Sequence, residues 1–480
     1  MDAPRDGRCE SSTCGGNAVA DAEFDVLVLG AGSGGYACAL RAAQLGLSVG
    51  LVEKGNLGGT CLHVGCIPTK ALLHAAEVAD SARDAARFGV TASLEGIDMV
   101  GVNAYKDKVV ERLFKGLTGL IASRGITVIP GTGTLSGPRE VTVDGTAYTG
   151  RSVVLASGSY SRSLPGLEVD GDKVITSEHA LRLDRVPASV IVLGGGVIGC
   201  EFASVWRSFG SEVTIVEALP RLVAAEDEAS SKALERAFRK RRIDFRTATS
   251  YKSVKVTDTG VAVTVEGATD GESVIEAEVL LVAVGRGPVT DGLGYVEQGI
   301  EMDRGFVLTD ERCRTNVEGV YAVGDIVPGL QLAHRGFQQG IFVAEDIAGL
   351  DPRPIDETGI PRVTYSHPEI ASVGLDEAAA REVHGDAVTT LTYDLGGNGK
   401  SQILQTQGFV KLVGLVDGPV LGVHMVGDRV GELIGEAQLI YNWEAHADDV
   451  APLVHAHPTQ NEALGEAHLA LAGKPLHAHS

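Results

Sequence analysis

One unit occurs twice in this chain, and no other feature restricts its folding as much. FDVLVLG (Phe24–Gly30) is a short Val- and Leu-rich run that passes into GAGSGG, then into the helix-forming stretch YACALRAAQLG, then into SVGLVE ending on Glu53. Downstream, SVIVLGGGVIGCEFASVWRSFGSEVTIVE repeats that order and ends on Glu217. Gly30 and Glu53 are 23 positions apart, as are Gly194 and Glu217. A continuous apolar run bounded by glycine suits a parallel strand covered on both faces. Gly30, Gly32 and Gly35, and again Gly194, Gly196 and Gly199, supply G-x-G-x-x-G between strand and helix. That pattern allows a tight turn and the close approach of a pyrophosphate to a helix N-terminus, while the closing acid accepts hydrogen bonds from ribose hydroxyls. A single glycine signature also occurs where a turn merely packs a helix on a strand. Two copies with matching acids point to two bound dinucleotides. Glu217 would repel a 2′-phosphate, and Ala218, Leu219 and Pro220 follow it, with Arg221 four places on. NAD is therefore expected rather than NADP.

The 480 residues exceed one ordinary core. RSVVLASGS (Arg151–Ser159) reads as a strand at a crossing between domains, and LLVAVGR (Leu280–Arg286, with Gly285 near its end) as its counterpart on leaving the second unit. GVYAVGDI (Gly319–Ile326) ends a strand on Gly324-Asp325, at a carboxyl edge where such sheets bind ligands. Farther on, Phe409–Val413 and Val420–Gly427 read as strands and Gly431–Trp443 as an amphipathic helix. The expected fold class is α/β, with two Rossmann-like dinucleotide-binding domains and a C-terminal α+β unit. The expected divisions are a flexible tail at 1–22, the first dinucleotide domain at 23–157, the second at 158–280, a return to the first at 281–350, and the C-terminal unit at 351–480.

Charge and composition narrow the setting. Lys and Arg number 41 against 63 Asp and Glu, a net charge of −22, so a broad nucleic-acid-binding surface is not expected. No run of about 20 uncharged apolar residues offers a membrane span. Residues 1–22 mix both charges without an apolar stretch, unlike an export signal. Seven cysteines, an odd number, suit a reducing compartment, and a cytoplasmic location is expected. Cys9 and Cys14 lie in the tail, outside any strand–helix context.

Cys61 and Cys66 sit in GGTCLHVGCIPTKALL, directly after the first unit. Five steps of regular helix rise about 7.5 Å, beyond the usual Cα separation of a disulfide, about 4.4–6.8 Å. The segment must bend for the pair to close, and Gly65 permits it. A helix starting nearby would lower a thiol pKa. Two inert buried thiols, or half of a zinc site, are the other readings; no second Cys/His pair at ligand spacing follows, so no metal site is expected. A redox-active dithiol is the expected chemistry.

Taken together, these motifs resemble the pyridine nucleotide–disulfide oxidoreductase family, from Phe24 to His479, with GGTCxxxGCIPTK the most specific segment. The resemblance implies that the first unit (Gly30, Gly32, Gly35, Glu53) holds FAD and the second (Gly194, Gly196, Gly199, Glu217, Gly285) holds NAD. Cys61 would exchange with substrate and Cys66 would contact the flavin. It further implies that Lys70 lies beside the flavin with Glu201 as its carboxylate partner, and that Gly324 and Asp325 serve the flavin side chain. In HAHPTQNEALGEAH, His457 and Glu462 resemble the family's acid–base pair, a neutral-range imidazole fixed by a carboxylate. His455 reads as a bystander, and His477 and His479 as solvated tail. No cysteine follows Cys313, which excludes branches with C-terminal thiol pairs. Gln339 stands where many members carry glutamate. The implied assembly is a homodimer through the C-terminal unit. The implied partners are lipoyl domains of 2-oxo-acid dehydrogenase or glycine cleavage complexes, whose dihydrolipoyl group would be oxidised. Two alternatives stay open: an NADH-dependent reductase of another disulfide, a quinone or a metal, and a non-catalytic flavoprotein or redox sensor.

Overall fold

In a computed structural model that describes residues 23–477, the two glycine units form two separate parallel sheets. In the first, Thr127–Pro130, Val49–Glu53, Phe24–Leu29, Thr146–Leu155 and Val320–Ala322 lie side by side in that order, all parallel. The Val and Leu of its central strand are buried on both faces, as their pattern requires: Val26, Leu27 and Val28 are inaccessible to solvent. The early part of Thr146–Leu155 also pairs antiparallel with Glu140–Val143, which continues to Gly133–Gly137. The second sheet repeats the arrangement with Ile243–Arg246, Glu212–Val216, Ser189–Leu193, Val279–Val282 and Val174–Thr176. A three-stranded antiparallel sheet, Thr249–Val256, Val261–Gly267 and Gly271–Ala277, accompanies it.

The chain passes between these units on a short antiparallel ladder, Ser159–Ser161 against Arg286–Pro288. The strands expected over Arg151–Ser159 and Leu280–Arg286 are therefore each broken. The first stops at Leu155 and the second at Val282, and Gly158 (φ 78°) and Gly285 (φ 104°) turn the backbone before the ladder begins. Likewise the strand expected over Gly319–Ile326 is only Val320–Ala322, followed by a 3₁₀ turn at Gly324–Ile326.

The C-terminal unit is a five-stranded antiparallel sheet, ordered Arg362–Thr364, Glu369–Gly374, Val420–Gly427, Phe409–Leu415, Val388–Asp394. Helices Val430–Asn442 and Glu462–Leu471 pack on it, burying Ile434, Ala437, Ile440, Leu464 and Ala467 against Val410, Leu412 and Val423. One hydrophobic cluster joins the units: Leu72 and Met99 from the first chain segment, Phe202 and Trp206 from the second sheet's helix, and Ile370, Phe409 and Val426 from the C-terminal sheet. His477 is 65% exposed, as a solvated tail residue should be, yet it is tethered: its amide and ring both bind the buried Glu466 carboxylate, at 3.0 and 2.8 Å. The tail with Cys9 and Cys14, and His479, lie outside the described residues. Among the described residues, no helix is long and apolar enough to cross a membrane.

Candidate active site

Each glycine unit builds the same cradle. Gly30 turns at φ 104° and Gly194 at φ 111°, a backbone region that L side chains rarely adopt. A Cβ on Gly35 would fall 1.8 Å from the Gly30 carbonyl oxygen, and one on Gly199 would fall 1.9 Å from that of Gly194. Helix and strand can meet this closely only through glycine. Above Gly32 and Gly196 there is open space, with no atom within 4 Å of an added Cβ. Phosphates could sit there, against the N-termini of helices Ser33–Gln44 and Val197–Phe209.

The closing acids are oriented by backbone amides. Glu53 accepts from the N–H groups of Ala31 and Gly55, both at 2.8 Å, and Glu217 from those of Gly195 at 2.6 Å and Leu219 at 2.7 Å. Each carboxylate oxygen keeps a lone pair for a ribose hydroxyl. Arg221 donates to the Ala224 carbonyl, so its guanidinium is engaged within its own loop. The cradles thus fit two dinucleotides, and the second favours one without a 2′-phosphate.

Between the cradles lies a cavity of about 960 Å³ whose lining includes Gly32, Gly196, Cys61, Cys66, Lys70 and Asp325. Gly65 breaks the helix between the two cysteines: Cys61 lies in Gly59–Val64, and Cys66 is the first residue of Cys66–Asp84. The two thiols are unbridged and adjacent, so that in the reduced pair Cys61 can donate a hydrogen bond to Cys66. That hydrogen bond lowers the Cys66 thiol to about 7 against the upward pull of burial, and the Lys70 ammonium lowers it further. The same bond, then burial, raises Cys61. One sulfur is held as the better thiolate and the other keeps the proton.

Lys70 lies one turn along the helix from Cys66. Its ammonium donates to both oxygens of Glu201, at 2.9 and 2.8 Å, and the Glu201 side chain is only 2% exposed. Burial alone would lower the Lys70 pKa, but the carboxylate outweighs it and the group is raised. The cavity therefore carries a fixed cation backed by a fixed anion. Asp325 accepts a hydrogen bond from Ser159, whose hydroxyl also accepts from Arg286 Nε at 2.7 Å. Gln339, buried, accepts the Gly324 N–H at 2.8 Å; an amide oxygen suffices there, where an uncharged backbone donor is the partner.

His457 and Glu462 do not line this cavity. They form a pair of their own on the C-terminal unit, His457 Nδ1 to Glu462 Oε1 at 2.8 Å, with the His457 side chain 78% exposed. Partial burial works to raise Glu462, but the Thr459 amide and the His457 ring hold its carboxyl below the usual range. His455, mostly buried, is paired with Glu436 at 2.8 Å, and Glu436 also receives Asn461. Sequence reasoning missed Tyr365, Ser159 and Arg286, all in the cavity wall, and Tyr36, whose phenol is pushed up to about 12, chiefly by burial. None stands in a glycine or cysteine motif, so nothing local marked them.

Residues 24–340 match the pyridine nucleotide-disulphide oxidoreductase family, and residues 360–468 match its dimerisation domain. The chain belongs to this family of FAD- and NAD-linked oxidoreductases. At the level of particular proteins, it is 41% identical to the dihydrolipoyl dehydrogenase of Bacillus subtilis, over 95% of this chain and 99% of that one. It is 42% identical to that of Chlorobaculum parvum (93% and 96% covered) and 40% identical to a mitochondrial one of Arabidopsis thaliana (95% and 92%). Among solved structures, LpdA of Mycobacterium tuberculosis superposes with a TM-score of 0.87 at 27% identity, covering 93% of this chain and 99% of that one.

Proposed function

We propose that this chain oxidises a protein-bound dihydrolipoyl group and reduces NAD, as a homodimer. The observation that carries the reading is the Cys61–Cys66 pair, set with Lys70 and Glu201 in one cavity between two dinucleotide cradles. The relatives' shared name, at about 40% identity over almost the whole chain, supports the substrate. Gly30, Gly32, Gly35, Glu53, Lys70, Gly324 and Asp325 would hold FAD. Gly194, Gly196, Gly199, Glu217 and Gly285 would hold NAD.

The thiol chemistry follows from the residues. His457, oriented by Glu462, takes the proton of an incoming dihydrolipoyl thiol, and the resulting thiolate attacks Cys61 Sγ of the oxidised pair. The Cys61–Cys66 bond breaks and Cys66 leaves as a thiolate, the form its surroundings favour. The second dihydrolipoyl sulfur, once deprotonated, attacks the mixed disulfide, releasing lipoyl disulfide and the Cys61 thiolate, which His457 can reprotonate. Bound flavin supplies two-electron transfer between the dithiol and NAD. Because His457 stands away from its own chain's cavity, the imidazole serving Cys61 is that of the partner subunit. The 2-oxo-acid dehydrogenase and glycine cleavage complexes are the assemblies whose lipoyl domains present this substrate.

Steady-state assays of the FAD-loaded protein with dihydrolipoamide and NAD, set against glutathione disulfide and quinones with NADH, test the reading. The expected result is turnover with dihydrolipoamide at least tenfold above the others. Faster quinone or glutathione turnover would replace it with the reductase alternative.

A further inference from the structure

The segment Tyr365–His367 belongs to the C-terminal unit yet reaches the cavity. It lies between strands Arg362–Thr364 and Glu369–Gly374 and comes down on helix Val197–Phe209. Two of its backbone amides dock there: Tyr365 N–H donates to Glu201 Oε1 at 3.0 Å, and His367 N–H to Ser204 Oγ at 3.1 Å. Glu201 and Ser204 are three residues apart, on one helix face, so the segment lies along that face. The buried Glu201 carboxylate thus receives three hydrogen bonds, two from Lys70 and one from Tyr365. A buried anion needs such partners to remain charged.

The Tyr365 side chain adds a second contact. Its ring centroid lies 4.8 Å from Lys70 Nζ, inside the range of about 6 Å over which an aromatic face attracts a cation. The ring also lines the cavity. Besides Lys70 and Glu201, the charged groups that act on Tyr365 are Glu369 and Glu432, both carboxyls of the C-terminal unit.

We propose that Tyr365 is a positioning residue for the Lys70–Glu201 pair: its ring holds the ammonium at the cavity wall and its amide holds the carboxylate. In this way the C-terminal unit helps set how readily the flavin site accepts two electrons. The inference rests on the proposed placement of FAD beside Lys70. A localised ammonium stabilises an electron-rich reduced ring, and a wandering one stabilises it less.

Phenylalanine, and phenylalanine carrying one, two or three ring fluorines, can be placed at position 365 of the full-length FAD-loaded protein. Fluorine drains the ring face stepwise while nearly preserving its shape and leaving the amide in place. The readout is the equilibrium between the bound flavin of the dithiol-reduced protein, which then takes up the second pair of electrons, and the NADH/NAD couple, followed in the visible spectrum at fixed pH. Tyr365→Phe should lie within about twofold of wild type. The fluorinated series should shift progressively toward oxidised flavin, reaching about two- to thirtyfold, the span of cation–ring attraction. A flat or reversed series overturns the proposal, and so does Tyr365→Phe shifting as far as the trifluoro form, which would assign the effect to the hydroxyl. Failure of the wild-type protein to bind FAD would instead remove the functional reading on which the proposal rests.

Discussion

At Cys66 opposing influences meet, and their sum has a sign that can be measured. The Cys61 hydrogen bond lowers its pKa, burial opposes this, Lys70 reinforces the lowering and Glu201 works against it, which together lower the thiol from the ordinary 9.0 to about 7. The thiolate is thus present above about pH 7 and lost as pH falls through it. In the reduced FAD-loaded protein, the long-wavelength thiolate–flavin absorbance should halve near pH 7. Lys70→Met, which removes the cation, should move that midpoint upward by about one to three pH units. An unmoved midpoint would show that Lys70 does not act on this sulfur. Glu217 gives a second test at the same scale. With its carboxylate fixed by two amides and Arg221 engaged elsewhere, Glu217→Ala should cut the preference for NAD over NADP by about tenfold or more. Equal use of both nucleotides by the wild-type protein would contradict this.

Among elements, the strand–glycine–helix cradle separates two kinds of glycine that look alike in sequence. Gly35 holds helix against strand, since a Cβ there would meet the Gly30 carbonyl oxygen at 1.8 Å. Gly32 has open space above it, which the proposal assigns to phosphate. Gly35→Ala should therefore lower the melting temperature of the FAD-free protein, whereas Gly32→Ala should leave it within about 2 °C and weaken FAD binding instead. Equal melting losses in both would mean that the open space has no ligand role. The cradles were legible because their chemistry is local: the glycines, helix and acid fall within one βαβ unit, and the periodicity of Phe24–Glu53 shows it. The dithiol was legible for the same reason, as Gly65 had to break the helix between Cys61 and Cys66. Tyr365 was not legible, since it meets Glu201 from 164 positions away and through a backbone amide that any residue carries. The strand ends at Leu155 and Val282 are unmarked in the sequence because Ala156, and Ala283 with Val284, carry the apolar character past them, and only the ladder of Ser159–Ser161 with Arg286–Pro288 shows where the chain changes units.

Over the whole molecule, the C-terminal unit is tied to the second dinucleotide unit by buried charge. Lys411 on the Phe409–Leu415 strand donates to both oxygens of Asp227, at 3.0 and 2.9 Å, and pairs with Glu377 at 2.8 Å, while the Asp227 side chain is 2% exposed. Lys411→Met strands that carboxylate and should cost about 3–5 kcal/mol, seen in thermal or urea unfolding, with Lys411→Met/Asp227→Leu less damaging than the single change. The same unit carries the His457–Glu462 pair, exposed and outside its own chain's cavity. In the proposed account a second copy supplies the imidazole that a chain's own cavity lacks, and a two-fold dimer would build two equivalent sites. His457→Ala alone should lower turnover by about 10²–10⁴. The most direct measurement mixes Cys61→Ser chains with His457→Ala chains, refolds them together with FAD, and isolates dimers shown to contain both. Each mixed dimer has one intact site of two, so the isolated mixed dimers should show about half of wild-type dihydrolipoamide turnover, and the unfractionated mixture, in which random exchange makes about half the dimers mixed, about a quarter. No recovery in verified mixed dimers would contradict the shared site.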